Sequence, residues 1–225
     1  LLPARGASAD ADYADETPRQ FEPGSVSTLE LENLAGRILL ERAAGEVLEL
    51  RVRVHSKAYD GMSAREVAQL LDLDIDRKGD KILIRAKYPV DEYRRIHYDG
   101  GEGGFFSGSS TVRVDGRKVK ITTGRKGSGL PLWADIQLRI PAGTRTELKH
   151  YVGRVKLEGL NGDCKLDCAS ADIGVVEFEG KLMVDTGSGD IKVSDLLGDF
   201  HADTGSGDVI LREASGSRFH ADTGS

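Results

Sequence analysis

No stretch of the 225-residue chain approaches the ~18 consecutive apolar residues of a membrane-spanning helix, which excludes such a helix from this sequence. Proline is scarce, with 6 residues, and glycine does not fall at every third position, so a collagen-like chain is excluded as well. Positive charge is outnumbered, 31 Lys and Arg against 37 Asp and Glu, giving a net charge of -6. The chain therefore lacks the broad positive field that drives non-specific nucleic-acid binding. One Trp and 6 % aromatic residues leave little with which to stack sugar rings. The run Gly124-Arg-Lys-Gly-Ser-Gly129 lacks the Gly-Lys-Ser/Thr order of a phosphate loop, and no cofactor is expected.

Glycine is what the chain has in excess, 28 residues, beside 39 % hydrophobic residues that predict a folded domain. Residues 1–97 hold 6 Gly, residues 98–130 hold 9, and residues 143–225 hold 13, so the excess has more than one origin. Residues 1–9, ending in Ala7-Ser8-Ala9, resemble the end of a secretory signal with its small-residue cleavage site, which points to export to the periplasm or cell surface. Residues 10–25, rich in Ala and Asp with Pro18 and Pro23, read as a disordered tether.

Residues 26–60 change to strand patterning, Leu48, Leu50, Val52 and Val54 alternating with Glu49, Arg51 and Arg53. Within residues 61–135, Ser63-Ala-Arg-Glu66 is a capping box that opens one short helix, and Arg77-Lys-Gly-Asp80 is the turn of a hairpin. A Gly/Ser-rich loop over 98–111 carries Phe105 and Phe106 and interrupts the pattern.

From residue 143 the sequence repeats. Asp185-Thr-Gly-Ser-Gly-Asp190-Ile recurs as Asp203-Thr-Gly-Ser-Gly-Asp208-Val and again from Asp222, the last step slightly longer than the one before. The same period extends backwards to Asp167 and Lys149. The segment from Glu30 through Gly36-Arg37-Ile38 to Glu41 matches that from Glu147 through Gly153-Arg154-Val155 to Glu158, so the N-terminal strands are expected to be coils too. Apolar positions form inward columns: Cys164, Leu182, Phe200 and Phe219; Leu166, Val184, Ala202 and Ala221; Ile173, Ile191 and Val209; Val175, Val193 and Leu211. A repeat of this length would span about 59 Å if extended, so each coil folds back through glycine turns. These features predict an all-β stack, a β-solenoid of ~18-residue coils over 26–225 carrying a helix and hairpin insertion, with regular repeats over 136–225. Thr223-Gly-Ser225 breaks off mid-coil, which predicts a fragment end and an uncapped edge open to self-association.

Strands with Gly-Arg-Ile or Gly-Arg-Val, the insertion, Ile140-Pro-Ala-Gly143 and the tandem Asp-Thr-Gly-Ser-Gly-Asp coils together resemble the bacterial putative-adhesin β-helix family, a domain of unknown function. The resemblance implies a right-handed single-stranded β-helix on an exported or membrane-anchored envelope protein, and it carries no catalytic motif.

Asp-Thr-Gly-Ser is also the signature around an aspartic-protease carboxylate, but such enzymes bring together two copies from two lobes, and three closely spaced tandem copies, at Asp185, Asp203 and Asp222, do not fit. Stacked Asp185 and Asp203 would lie about 5 Å apart, the spacing of a retaining glycosidase pair, yet any like-residue ladder gives that distance. Asp185, Asp190, Asp203 and Asp208 are weak calcium candidates; Asx-type capping of the turns is the competing role. In an extended strand the Cα atoms of Cys164 and Cys168 are ~13 Å apart, beyond disulfide reach, so both are expected inside and unbridged. His201 and His220 share an outward column. Arg117, Lys118, Arg125 and Lys126, with Phe105 and Phe106, form the candidate interaction surface. The expected function is a non-enzymatic structural or adhesin-like binding module whose partner is an envelope protein or glycan. Its alternatives are a polysaccharide-acting enzyme using stacked carboxylates and a sensing module of an envelope stress system.

Overall fold

The computed structural model describes residues 13–20, 26–100, 108–125 and 127–224. The chain is almost entirely β, one large sheet that does not close into a barrel. Strand β1 (Tyr13–Gln20) precedes β2 (Thr28–Arg42) and β3 (Glu49–Ser56). Helix α1 (Ala64–Ala68) follows, with Ser63 and Glu66 completing the expected capping box through Glu66 N–H to Ser63 Oγ and Ser63 N–H to the Glu66 carboxylate. Strands β4 (Asp72–Lys78) and β5 (Lys81–Lys87) form the antiparallel hairpin predicted around Gly79. Strand β6 (Arg95–Tyr98) leads to a second hairpin, β7 (Gly108–Val114) and β8 (Arg117–Thr123), and then to β9 (Leu130–Ile140).

The regular part consists of β10 (Arg145–Glu158), β11 (Cys164–Glu179), β12 (Leu182–Thr186), β13 (Ile191–Leu197), β14 (Phe200–Thr204), β15 (Val209–Ser215) and β16 (Phe219–Thr223). Up to β15 these pair in parallel at a constant offset of one sequence repeat: Cys164 beside Thr146, Leu182 beside Cys164, Phe200 beside Leu182 and, on the second face, Ile191 beside Ile173 and Val209 beside Ile191. Strand β2 lies parallel to β10 with Gly36 against Gly153, Arg37 against Arg154 and Glu41 against Glu158, the register expected from the sequence match. Each repeat in this parallel stack is one rung.

Alternation then sorts the side chains. Leu29, Leu31, Ile38 and Leu40 of β2 and Leu148, Val155 and Leu157 of β10 are buried, in line with Leu166, Val184, Ile173 and Ile191 above them. Burial of such aliphatic side chains is worth roughly 1.5–3 kcal/mol each and is the main force holding the rungs together. Cys164 and Cys168 are buried and unbridged. At the last described rung the pattern changes: Phe219 is 44 % exposed and Ala221 is exposed, because the inward columns that sequence assigned to them end there with nothing stacked above among the described residues.

Two further expectations are corrected. Within the segment read as a tether, residues 13–20 form β1, antiparallel to β3, with the Glu16 carboxylate held by Arg53 at 2.9 Å; Pro18 is tolerated because β1 is an edge strand. Strand β3, grouped with the first coils, is antiparallel to both β1 and β9, so of these strands only β2 joins the parallel stack.

Two corners turn each rung. At the first, Asn33, His150, Cys168, Thr186 and Thr204 form an interior column of small or polar residues, three positions before Gly36, Gly153, Ala171, Gly189 and Gly207. Asn33 Nδ2 donates to Ala134 O at 2.9 Å, and Tyr88 Oη donates to Ala35 O while accepting from Ala134 N–H, so this polar interior is satisfied. At the second corner, Gly159, Glu177, Asp195 and Glu213, one from each successive rung, all have φ between 51° and 64°. Sequence inspection missed this left-handed position because three of its four occupants are acidic rather than glycine. Beside it Gly162, Gly180, Gly198 and Gly216 stack backbone on backbone; a Cβ on Gly198 would lie 1.9 Å from Gly180 O. Gly198→Ala is therefore expected to cost about 3 kcal/mol or more, while Gly45→Ala, with nothing within 4 Å, stays within about 0.5 kcal/mol in denaturant unfolding.

His150 is fully buried with Nδ1 3.1 Å from Asn33 O and Nε2 3.1 Å from Gly36 O. Burial lowers its pKa to about 4, against the pull of the two carbonyls and the Asp135 charge. The unfolded chain takes up this proton near pH 6.5, before the folded protein does, so stability falls as pH drops from about 6.5 to about 4, by about 3 kcal/mol from this group. His150→Thr, the residue type that fills the column at Thr186 and Thr204, should reduce that loss; an unchanged pH profile in chemical denaturation would contradict the assignment.

Candidate groove beside the first corner

The first corner repeats small side chains outward as well as inward. Thr-Gly-Ser-Gly places Ser188 and Ser206 above Ser170, and Ser188 Oγ donates to Ser170 Oγ at 3.0 Å. Asp172, Asp190 and Asp208 follow along the same edge, in line with Arg154 and Arg37. Asp172 Oδ1 accepts the Asp190 N–H at 3.3 Å, and Asp190 Oδ1 accepts the Asp208 N–H at 3.1 Å, while Asp190 Oδ2 binds Lys192 Nζ at 3.1 Å. The Asp208 N–H first, then the Lys192 ammonium, holds the Asp190 carboxyl below its ordinary range. These carboxylates thus cap the turn of the neighbouring rung, not their own turn as the Asx-type role weighed from the sequence would have it.

The β7–β8 hairpin folds back toward this edge: Tyr151 Oη, on β10, donates to Arg113 O of β7 at 3.3 Å. Between hairpin and corner lies a cavity of about 480 Å³, within the range of small-ligand sites. Its floor is Gly153, Ala171, Gly189 and Gly207 with the three corner serines, and its far wall is Gly108, Ser109, Ser110 and Thr123. Arg154, Asp172 and Asp190 bound it on the charged side. Tyr98, at the end of β6, lines it too; the residue is 5 % exposed, its ring meets Trp133 edge-on at 5.8 Å, and its hydroxyl makes no hydrogen bond among the described residues. Burial, with the Asp135 charge behind it, pushes the Tyr98 pKa up to about 12, so the hydroxyl keeps its proton.

Behind this end, Asp135 is gripped by the Arg37 N–H at 2.8 Å, the Arg37 guanidinium at 3.0 Å and His55 Nε2 at 3.2 Å. Burial opposes ionisation of Asp135, but the His55 and Arg37 hydrogen bonds and charges outweigh it and keep its pKa low. The His55 ring stacks on Trp133 at 5.2 Å, which fixes the cluster as a support for the groove wall.

The residues singled out from the sequence fall elsewhere. Phe105, Phe106 and Lys126 lie outside the described residues. Arg117 pairs with Asp91, Lys118 is exposed on β8 opposite Arg113, and Arg125 is exposed in the following turn; none of the three lines the groove. Asp185 and Asp203 stand side by side on the exposed outer face, next to Asp167 and Asp222, whereas Asp190 and Asp208 sit at the corner. The four calcium candidates do not converge, and no three His, Cys, Asp or Glu side chains come together to hold a metal among the described residues. His201 and His220 stack with ring centroids 4.8 Å apart on that outer face. Tyr98, Arg154 and the serine column escaped sequence reading; the regular spacing of the serines was visible, but nothing in the sequence says that the insertion folds over them.

No family model matches the chain, and no curated protein matches it. Among solved structures, a "putative cell adhesion protein" from Clostridium sporogenes is similar over 94 % of this chain and 100 % of its own, at 12 % identity and a TM-score of 0.43. A "putative adhesin" from Bacteroides fragilis is similar over 94 % and 97 %, at 11 % identity and 0.32, and one from Parabacteroides distasonis over 93 % and 97 %, at 8 % and 0.31. No helix among the described residues is long and apolar enough to cross a membrane.

Because Asp190 uses both carboxylate oxygens within the turn, Asp190→Ala is expected to cost about 1–2 kcal/mol. Millimolar calcium is expected to leave the melting temperature of the wild-type protein unchanged; a rise that Asp190→Ala abolishes would contradict the capping role.

Proposed function

We propose that the chain is a non-enzymatic, adhesin-like binding module of an exported envelope protein, that its parallel rungs form a β-solenoid, and that its ligand sits between the β7–β8 hairpin and the first corner. The observation that carries this reading is the cavity of about 480 Å³ with the unpartnered Tyr98 hydroxyl in its lining. Tyr98 lines the cavity, so its hydroxyl is available to donate to and accept from a bound ligand. The constant parallel register from rung to rung, with a polar corner in each, supports the solenoid part of the proposal. Export rests on the Ala7-Ser8-Ala9 segment.

Holding is favoured over turnover by the state of the carboxylates. Asp190 is ionised and committed to Asp208 N–H and Lys192, which leaves it without a proton to give a leaving group. Asp185 and Asp203, the spaced pair that would serve a glycosidase, stand on the open outer face rather than in the groove.

The test is binding of labelled protein to cell envelopes of the source organism. Wild type is expected to bind saturably without releasing soluble products. Ser109→Trp, which fills the groove from an exposed position, should lower affinity at least tenfold, while Asp185→Ala on the outer face leaves it unchanged. Binding that survives Ser109→Trp, or release of product, would overturn the reading.

A further inference from the structure

We infer that the groove takes a linear saccharide lying along the corner, its hydroxyl groups bonded by the Tyr98 hydroxyl, the serine column and the charged edge of Arg154, Asp172 and Asp190. This rests on the groove being the binding site and names the ligand class. The chemistry of the lining favours it. Tyr98, Ser109, Ser110, Thr123, Ser170, Ser188 and Ser206 all contribute hydroxyls, groups that both donate and accept and so match the hydroxyls of a sugar in either role. Asp172 has one oxygen occupied by the Asp190 N–H, and Asp190 has one held by the Asp208 N–H and the other by Lys192; each oxygen keeps lone pairs for a further donor. Arg154 adds planar donors at the Tyr98 end.

Geometry points the same way. The corner repeats its serine once per rung, about 4.8 Å apart, so a polymer of hydroxyl-bearing units meets the same group again at each step. Beyond Val152, which pairs with Ser170 at one end, the corner floor carries no side chain larger than that of serine or alanine, which lets a ring approach the backbone closely. An extended peptide is served less well. It needs a free strand edge for backbone bonds and apolar pockets for alternate side chains. Here Tyr151 Oη already occupies Arg113 O on the β7 edge that faces the stack, and the floor offers hydroxyls instead of pockets.

Tyr98 gives the sharpest handle. Because its hydroxyl has no partner within the described protein, Tyr98→Phe keeps the ring packed on Trp133 and should leave the melting temperature unchanged or raise it. The same change should weaken ligand binding about 3- to 10-fold, the loss of one hydrogen bond.

The experiment compares wild type, Tyr98→Phe and Ser109→Trp on source envelopes left intact, oxidised with periodate to cleave vicinal diols, or digested with protease. A panel of soluble cello-, xylo- and manno-hexasaccharides, whose units keep the vicinal diols that periodate cleaves, is titrated in parallel. Binding is expected to fall at least tenfold after periodate and to persist after protease, and at least one hexasaccharide is expected to bind wild type more tightly than both variants. Groove-dependent binding that survives periodate and is lost to protease would overturn the saccharide while leaving the binding module standing. Binding indifferent to Ser109→Trp would overturn both.

Discussion

Backbone packed directly on backbone is the constraint from which the rest of the structure follows. At the second corner Gly180 meets Gly162 and Gly198 meets Gly180 with no room for a Cβ, and at the first Gly153 meets Gly36 in the same way. Such contacts tolerate no slip between rungs. A one-residue change of register would replace glycine by a side chain in the contact and turn every buried aliphatic side chain outward. The offset between rungs is therefore fixed at the corners and read out on the faces. Identical residues are then compelled to stack: Ile173 under Ile191, Ser170 under Ser188, Asp185 beside Asp203.

This forced stacking makes some ladders useful and others merely permitted. Interior polar residues are paired with carbonyls of the neighbouring backbone, as at Asn33, His150 and Thr204. Corner aspartates neutralise the cost of lining up like charges by accepting the N–H of the rung above. On the outer face Asp167, Asp185, Asp203 and Asp222 stay exposed, where solvent screens them. A ladder alone carries no function. What distinguishes the first corner is the insertion that folds over it and converts a polar stripe into a groove.

Much of the stack was legible because periodicity is a local property. The match of Glu30–Glu41 to Glu147–Glu158 anticipated the β2–β10 register residue by residue, and Ser63 with Glu66 announced the helix. Strand β1 was not legible, since its pairing depends on charges on β3 such as Arg53 that no local pattern ties to Glu16. Strand β3 alternates like a rung yet pairs antiparallel with β9, because alternation specifies a face and not a direction. The left-handed Glu177, Asp195 and Glu213 were hidden by the expectation that such corners carry glycine. Of the groove, the serine column lay in the repeat, whereas Tyr98 and Arg154 became neighbours only through the folding of the insertion.

The same partition separates scaffold from specialisation. Glycine after residue 143 is spent on corners, and glycine between 98 and 130 serves the insertion whose described parts wall the groove, Gly100 and Gly108 among them. Scaffold and specialisation meet where that hairpin rests against the stack of rungs. Nuclear Overhauser contacts in the isotope-labelled protein measure both at once. Contacts linking Ile173 to Ile191 and Ile191 to Val209, together with contacts from the Tyr151 ring to Arg113, are the predicted result. A different offset between stacked strands, or a β7–β8 hairpin with no contacts to β10, would contradict it.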